Sequence, residues 1–245
     1  MTLIDLLLLN DYKLSRAAID ISSSRWVLRG LVEVGTNFVE VKGLIPAICF
    51  WYLWSKPCSN LETRRIKLSS LLIVSVFAIA VGRALATLLP FRLRPLGTAE
   101  IMGDSVQTNE FLENWSSMPS DHALLFFALA AGFYQVSRPV GVLLLIHAFF
   151  VVGLSRVLGG QHYPSDIIVG AIIGAFLSFC LVPPIARLIS RTLSTKPALV
   201  AQITRPEIVY PVLFFVTFQF ANMFDGVRYF GLLAAKVVSK FALAG

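Results

Sequence analysis

Charged residues are scarce in this sequence: they make up 14% of its 245 residues, whereas hydrophobic residues make up 56%. Soluble globular domains carry about 25% charged residues, and the mean hydropathy of +0.75 lies well on the apolar side. The composition therefore excludes an ordinary soluble domain and indicates an integral membrane protein.

Cysteine is also scarce, with three residues in the whole chain. Cys49 and Cys180 lie within apolar runs and Cys58 lies in a basic segment. This spacing indicates neither a disulfide framework nor a cysteine metal site. We expect three free thiols.

The usual features of a secretory signal peptide are missing as well. Residues 1–10 lack the basic start and the small-residue cleavage site of such a peptide, so we expect the first apolar segment to stay in the protein. No internal repeat and no separate soluble domain is evident in the sequence. Residues 1–245 are therefore predicted to form a single integral-membrane domain.

The sequence does contain six long apolar runs, most of them close to the ~20 residues that a bilayer requires. They cover residues 34–54, 68–89, 122–136, 140–158, 164–188 and 208–224. We predict an all-α fold, a polytopic membrane bundle of about six transmembrane helices.

The chain is expected to divide into three parts around these runs. Residues 1–33 mix apolar and charged side chains, which predicts interfacial helices. Residues 34–188 form a core of five spans, in which Glu40 and Lys42 either pair with each other or face a cavity. Residues 189–245 hold a basic loop, the sixth run and an amphipathic tail that carries Arg228, Lys236 and Lys240.

One polar stretch, residues 155–166, lies between the fourth and fifth runs and combines a cation, an imidazole and a carboxylate. Asp166 follows His162 by four residues, so it can hold one ring nitrogen and leave the other free to attack an electrophile. Arg156 supplies a planar, permanently charged fork for an anion. The alternative is an interfacial ion pair of Arg156 with Asp166, in which His162 only caps a helix.

Two other polar stretches lie where the chain enters or leaves the membrane. Pro119-Ser120-Asp121-His122 opens the third apolar run, and Arg92-Leu93-Arg94-Pro95 follows the second. Ser120 is expected to cap a helix whose N-terminal amides face the same side as Arg94. Together these groups would hold an anion.

The three stretches resemble the signatures of the type 2 phosphatidic acid phosphatase superfamily, which are Lys-x6-Arg-Pro, Pro-Ser-Gly-His and Ser-Arg-x5-His-x3-Asp. The third signature is matched at every specified position, namely Ser155, Arg156, His162 and Asp166. The second is matched except that Asp121 stands in place of glycine. The first is matched only in Arg94-Pro95. Its lysine position is Thr87, so a basic group there comes from Arg83 or Arg92, or is absent.

The resemblance implies a phosphatase mechanism at these residues. It implies His162 as the nucleophile that forms a phosphohistidine, Asp166 as the residue that orients it, and His122 as the general acid and later the base for water. The residues implied to hold the phosphoryl oxygens are Arg94, Arg156 and Ser120, with Arg83 and Arg92 as further candidates. No metal ion and no cofactor are expected, since arginines and helix amides take the place that Mg²⁺ occupies elsewhere.

A lipid phosphate is the substrate that the resemblance implies. Pro-Ser-Asp-His is similar to the undecaprenyl pyrophosphate phosphatase branch, which favours that diphosphate, and phosphatidate or phosphatidylglycerophosphate is the alternative. A rival of another class is an anion-binding or lipid-binding membrane protein, or a transporter, that uses the same charges without chemistry. The expected partners are a membrane lipid and the bilayer, and not nucleic acid.

The connectivity of the spans predicts where the site lies. Two spans separate residues 90–120 from residues 159–165, so both loops are expected on one face of the membrane. The core loops on the other face carry more lysine and arginine, which predicts that the site faces away from the cytoplasm. We expect a bacterial inner (plasma) membrane.

Overall fold

A bundle of helices makes up the protein in the computed structural model, which describes residues 3–107, 115–195 and 206–221. Within these ranges the chain forms helices, turns and connecting segments, and no strand. We number the helices α1 (Leu3–Ser24), α2 (Trp26–Asn37), α3 (Val39–Ser55), α4 (Leu61–Leu88), α5 (Ala99–Met102), α6 (Asp121–Val136), α7 (Arg138–Leu158), α8 (Pro164–Thr195) and α9 (Pro206–Ala221). The predicted all-α fold is confirmed.

Three of these helices are long and apolar enough to cross a membrane, namely α4, α7 and residues 164–193 of α8. Helix α6 and residues 209–219 of α9 form shorter apolar helices. The outer surface of α4, α7 and α8 carries exposed large apolar side chains, including Ile73, Phe77, Phe149, Phe150, Ile172 and Phe176. Water does not stabilise such a surface, so these helices face lipid and the protein is integral to the membrane.

Several predicted boundaries differ from the helices of the structure. The first run is not one helix, because Phe38 adopts φ −87 and ψ 93 and separates α2 from α3. Helix α4 begins at Leu61, seven residues before the second apolar run, so Arg64, Arg65 and Lys67 lie on this helix and not in a loop. Arg65 stabilises this extension, since its Nε donates to the Trp54 carbonyl at 3.2 Å and its guanidinium lies 5.1 Å from the Trp54 ring. The predicted amphipathic tail, residues 225–245, lies outside the described residues.

Helices α6 and α8 pack closely because two glycines of α8 face α6. A Cβ atom at Gly174 would lie 2.1 Å from the Leu124 carbonyl oxygen, and one at Gly170 would lie 2.6 Å from the Ser120 carbonyl oxygen. Small residues four apart allow this approach of two helix backbones. As a result the Ser120 amide donates to the Asp166 carbonyl at 3.2 Å, which joins the start of α6 to the start of α8.

Helix α1 contacts the end of the bundle where α7 ends and α8 begins. Some of its polar residues face the protein: Asp11 and Ser22 are buried, and the Ser22 hydroxyl donates to the Leu158 carbonyl at 2.8 Å. Its exposed face mixes apolar and charged side chains, namely Leu14, Ile21, Lys13, Arg16 and Asp20.

The two polar loops meet at this same end of the bundle. The Leu96 amide donates to the Gly160 carbonyl at 3.1 Å, and the Ser117 amide donates to the Arg92 carbonyl at 2.9 Å. Gly160 has φ +64, a conformation that glycine adopts without strain, and it turns the chain between α7 and α8. The structure therefore brings residues 89–107 and 115–120 onto residues 159–166, as the connectivity predicts.

Candidate active site

His162 lies in the turn between α7 and α8 and is almost completely buried, with 1% of its surface exposed. Its Nδ1 lies 2.8 Å from the Ser117 carbonyl oxygen, and its Nε2 lies 3.1 Å from Nη1 of Arg94. A carbonyl only accepts and a guanidinium only donates. Nδ1 therefore carries the proton, and the lone pair of Nε2 faces Arg94.

Asp166 lies beside His162 in the first turn of α8 and is fully buried. Its Oδ2 accepts from the Ser117 hydroxyl at 2.5 Å and from the Tyr163 amide at 2.8 Å. The distance from Oδ2 to Nδ1 of His162 is 3.6 Å, which is too long for a hydrogen bond. The i, i+4 spacing does bring the carboxylate beside the ring, but Nδ1 of His162 donates to the Ser117 carbonyl instead of to Asp166.

Arg92, a candidate phosphate ligand from the sequence, lies against other protein groups. Its Nη1 donates to Asp166 Oδ1 and to the Ser165 hydroxyl, both at 2.9 Å, and its Nη2 donates to Asp11 Oδ2 at 2.8 Å. Its guanidinium carbon lies 3.7 Å from the centroid of the Tyr163 ring. Arg92 thus ties helix α1 to the carboxylate that neighbours His162.

Arg94 and Arg156 are both buried, and they converge on Gln161. Nη1 of Arg94 donates to the backbone carbonyl of Gln161 at 3.0 Å, and Nη1 of Arg156 donates to its side-chain oxygen at 2.7 Å. The backbone oxygen of Gln161 therefore binds one guanidinium group and its side-chain oxygen binds the other, and both oxygens are neutral. Neutral oxygens bind a guanidinium less strongly than phosphate oxygens do, so an anion can replace them.

His122 lies at the start of α6, in the helix that Ser120 caps. The Ser120 hydroxyl accepts from the Ala123 amide at 3.4 Å, which confirms the predicted N-cap. Oδ1 of Asp121 lies 2.8 Å from Nδ1 of His122 and also accepts from the His122 amide at 2.8 Å. The carboxylate that replaces the glycine of the family signature thus holds the imidazole.

The two histidine regions belong to one site. Electrostatic interactions connect Asp121 to Arg156 and to His162. Burial lowers the pKa of His162, Asp166 raises it, and the positive charge of Arg94 adds to the lowering. Since burial dominates, the imidazole of His162 is neutral and its Nε2 lone pair is available.

The lysine position of the first signature does not reach this site. Thr87 is exposed near the end of α4, and its hydroxyl donates to the Ala84 carbonyl at 2.9 Å. Arg83 is partly buried and follows Gly82, where a Cβ atom would lie 3.6 Å from Cα of Asp121. The binding of phosphate by Arg83 stays a prediction.

Sequence analysis missed three residues that the structure adds to the site. Ser117 and Gln161 lie within or beside the signatures at positions that the signatures leave unspecified, so no pattern distinguishes them. Asp11 lies among other charged residues of the segment 1–33, so no pattern distinguishes it from its exposed neighbours. Its Oδ1 also accepts from the Ser165 amide at 3.2 Å.

Comparisons with known proteins agree with these motifs. Residues 67–187 match the family model of the PAP2 superfamily, and this range contains both histidines and the arginines of the site. This part of the chain is a PAP2 superfamily domain, which confirms the predicted family.

Two relatives are similar over different shares of the chain. The bacitracin transport permease protein BcrC of Bacillus licheniformis is 42% identical over 59 residues, which are 24% of this chain and 29% of that protein. The crystal structure of the first transmembrane PAP2 type phosphatidylglycerolphosphate phosphatase from Bacillus subtilis is 21% identical. It aligns with 75% of this chain and 88% of its own, at a TM-score of 0.47.

Proposed function

We propose that the protein is a membrane lipid phosphatase that transfers a phosphoryl group to Nε2 of His162 and then to water. One observation carries the proposal. Nδ1 of His162 donates to the Ser117 carbonyl while Nε2 accepts from Arg94, so the nucleophilic nitrogen is unprotonated and already faces an anion-binding group.

In the first step Nε2 of His162 attacks phosphorus and the bond from phosphorus to the leaving oxygen breaks. His122 donates its proton to that oxygen, so the lipid product leaves neutral or less charged. The phosphohistidine keeps its proton on Nδ1, where the Ser117 carbonyl and the charge of Asp166 stabilise it.

In the second step water attacks the phosphohistidine. His122, now unprotonated, takes a proton from the water while the bond from Nε2 to phosphorus breaks and inorganic phosphate leaves. The side chain of His122 is 19% exposed, against 2% for His162. This difference supports the assignment, because the residue that activates water is the one that water can reach.

Arg94, Arg156 and the N-terminal amides of α6 bind the phosphoryl oxygens in this proposal. The two guanidinium groups leave Gln161 and form charge-assisted hydrogen bonds to the phosphate, which are the stronger contacts. Ser120 contributes by capping the helix whose positive end faces the anion. Arg92 positions Asp166 instead of binding phosphate.

Asp121 fixes the tautomer of His122. The acceptor at 2.8 Å keeps a proton on Nδ1 of His122, so Nε2 is the atom that gives and takes the catalytic proton. The carboxylate is therefore a positioning group, and its place at the first turn of α6 is favourable for a negative charge.

A polyprenyl diphosphate, in particular undecaprenyl pyrophosphate, is the proposed substrate. The site lies at the end of the helix bundle, so a lipid can leave its chain along the apolar surface of α4, α7 and α8 while its head group enters the site. The Pro-Ser-Asp-His resemblance favours the diphosphate over phosphatidate or phosphatidylglycerophosphate. The basic residues at the opposite end of the core, including Arg64, Arg65 and Lys67 on α4, support a site on the extracytoplasmic face of a bacterial inner membrane.

Phosphate release by the purified protein tests the proposal. The substrates are undecaprenyl pyrophosphate, undecaprenyl phosphate, phosphatidate and phosphatidylglycerophosphate, each with and without a chelator, and His162→Ala is the control. We expect chelator-resistant release that is fastest with the diphosphate. Release from phosphatidate alone would remove the preferred substrate, and no release from any of the four would contradict the phosphatase.

Binding without turnover is the second candidate, and the name of the Bacillus licheniformis relative, a transport permease, favours it. A transporter would need the arginines to hold an anion but would not need the unprotonated Nε2 of His162. Two results together would select this candidate. The wild type would bind lipid saturably without releasing phosphate, and His162→Ala would bind lipid equally well.

A further inference from the structure

A polar pocket lies at the end of the bundle opposite the candidate active site. Its volume is about 360 Å³, and it is bordered by the turn between α3 and α4, the first two turns of α4 and the end of α6. The residues that carry its chemistry are Ser59, Asn60, Thr63, Arg64 and Lys67. None of the described residues that line it is an aspartate or a glutamate. The pocket is therefore polar and positively charged.

Helices α4 and α6 both extend from this pocket to the active site. Helix α6 carries His122 in its first turn and ends at Val136, which lines the pocket. An α-helix rises about 1.5 Å per residue, so Val136 lies roughly 21 Å from His122 along the helix axis. Helix α4 likewise begins at the pocket and ends at Leu88, before the loop that carries Arg92. The residues of the pocket are thus too far from the two histidines to take part in the proposed phosphoryl transfer.

Two cations of the pocket have no carboxylate partner in the described part of the chain. The ion pairs found there all lie at the active-site end. Nη2 of Arg64 donates to the Lys56 carbonyl, which is a neutral acceptor, and its buried Nε has no acceptor among the described residues. Lys67 follows Arg64 by three residues, so the two side chains share one face of α4. A buried N–H group without an acceptor is costly, which favours a ligand that brings acceptor oxygens.

Aromatic side chains indicate the depth of the pocket in the membrane. Tyr52 at the end of α3 and Tyr210 near the start of α9 are exposed. The Tyr210 ring packs against the Trp54 ring at 6.5 Å between centroids, and the Arg65 guanidinium at the start of α4 lies 5.1 Å from that same ring. Tyrosine and tryptophan accumulate at the membrane–water interface, and the apolar run of α4 begins directly after Lys67. The pocket therefore opens where the head groups of the bilayer lie.

Phosphate is the ligand group that the pocket fits best. Arg64 and Lys67 supply positive charge and N–H donors, and the other polar residues of the lining supply neutral hydroxyl and amide donors. The Asn60 side chain is among them, since it makes no capping bond to α4. Basic pockets between membrane helices at this depth bind anionic lipid head groups. A lipid is already concentrated at the head-group level, whereas a soluble phosphate compound is not.

We propose that this pocket binds the phosphate group of an anionic membrane lipid, and that Arg64 and Lys67 are its principal ligands. The site is separate from the one at His162, so its lipid is a bound ligand and not a substrate. A lipid in this position contacts both α4 and the end of α6 and joins the two helices there. The inference does not depend on the proposed phosphatase function, because none of the residues that carry it takes part in that chemistry.

Binding of short-chain phosphatidylglycerol to the purified protein in a zwitterionic detergent, measured by calorimetry, tests the inference. A basic residue beside an anionic head group contributes about 5-fold to binding. We therefore expect ~5-fold weaker binding by Lys67→Gln and ~25-fold weaker binding by the double variant Arg64→Gln/Lys67→Gln, whereas Lys67→Arg should keep the wild-type affinity. The matched control is Lys56→Gln/Arg138→Gln, which removes two exposed charges outside the pocket at the same end and should bind as the wild type does.

Two further ligands distinguish the anionic lipid from other phosphates. Phosphatidylcholine should bind weakly, because its quaternary ammonium group offsets the charge of the phosphate. Inorganic phosphate should also bind weakly, since it has no acyl chain to hold it at the level of the pocket. Inorganic phosphate that binds as tightly as phosphatidylglycerol would overturn the assignment to a lipid, and phosphatidylcholine that does so would overturn the assignment to an anionic one.

Two results with the variants would overturn the site itself. One is wild-type affinity for phosphatidylglycerol in Arg64→Gln/Lys67→Gln. The other is an equal loss in Lys56→Gln/Arg138→Gln, which would mean that the general positive charge of this end attracts the lipid. Arg64 also bonds the Lys56 carbonyl, so the melting temperature of each variant without lipid checks the fold. If the double variant is unfolded, Lys67→Gln alone decides: a loss of ~5-fold supports the site, and wild-type affinity overturns it.

Discussion

The turn that carries His162 and the start of helix α6 that carries His122 each combine an imidazole with an aspartate, but they do so differently. Asp121 contacts the ring of His122 directly at 2.8 Å. Asp166 Oδ2 lies 3.6 Å from Nδ1 of His162, and that Nδ1 donates to the Ser117 carbonyl instead. The start of α6 thus has a carboxylate as the immediate partner of its imidazole, whereas the turn with His162 has a neutral carbonyl.

This difference fits the two roles. A neutral acceptor leaves Nε2 of a buried imidazole unprotonated and ready to attack, because it does not favour the imidazolium. Direct contact with Asp121 raises the pKa of His122, but burial and the charge of Arg156 outweigh it and lower that pKa to about 3. The proposed general acid must therefore gain its proton together with the anionic phosphate that it binds, and the Asp121 carboxylate is placed to stabilise that protonated form.

Removal of either histidine is the strongest way to test this division. We expect His162→Ala to lower kcat by at least ~10⁴-fold, since it removes the nucleophile, and His122→Ala to lower it by ~10²–10⁴-fold, since it removes general acid–base assistance. Steady-state phosphate release measures both. Substitution of the third histidine, His147→Gln, is the control and should retain turnover. Equal activity of His162→Ala and the wild type would refute the assignment.

Neutralising Asp121 tests the direct contact. Asp121→Asn keeps the shape of the side chain but weakens the hold on the His122 tautomer, so kcat should fall by roughly 10-fold to 100-fold with little change in KM. The exposed Asp104→Asn is the matched control. A large rise in KM with unchanged kcat would mean that Asp121 serves substrate binding and not proton transfer.

A smaller effect is expected when the contact between helix α1 and Asp166, the carboxylate beside His162, is weakened. Asp11→Asn removes the carboxylate that Arg92 and Ser165 share, and this loosens the position of Asp166. We expect a loss of roughly 2-fold to 10-fold in kcat/KM. Asp20→Asn, on the exposed side of α1, is the control. A loss as large as that of His162→Ala would show that Asp11 acts on the substrate itself.

The pH dependence gives the smallest but most specific comparison. Burial lowers the pKa of His162 from its ordinary value of 6.5, against the opposing effect of Asp166. Attack requires the unprotonated imidazole, so the acid limb of kcat/KM that His162 causes should lie below pH 6.5. Thermal unfolding over the same range controls for loss of the fold. An acid limb centred above pH 6.5 would contradict a buried, neutral His162.

The members of the site were predictable from the sequence because chemistry restricts them to few residue types. His162, Asp166, Arg94 and Arg156 stand at signature spacings, and the structure brings all four together. Their contacts were less predictable. The Ser117 carbonyl that holds His162 belongs to the backbone, and its position depends on how the loop before α6 packs on α8, which no side-chain pattern records.

The fold was predictable to a similar depth. Apolar runs predicted six helices and an integral membrane protein, because lipid requires apolar surfaces of bilayer length. The break at Phe38 and the early start of α4 were not predictable from hydropathy, since the first rests on backbone angles and the second on the contact of Arg65 with Trp54. The close approach of α6 and α8 could have been predicted from the spacing of Gly170 and Gly174, but not from hydropathy alone.

The phosphohistidine is the central claim, and one measurement tests it most directly. Substrate labelled in the phosphate that is released is mixed with the wild type, His122→Ala and His162→Ala, and protein-bound phosphate is quantified after rapid quenching in alkali. His122 assists both steps, but the phosphate leaving group of a diphosphate departs more readily without an acid than water attacks without a base. His122→Ala should therefore accumulate acid-labile, alkali-stable label that peptide mapping assigns to His162. The His162→Ala protein should carry none. Turnover by the wild type together with no histidine-bound label in any of the three proteins would contradict the account.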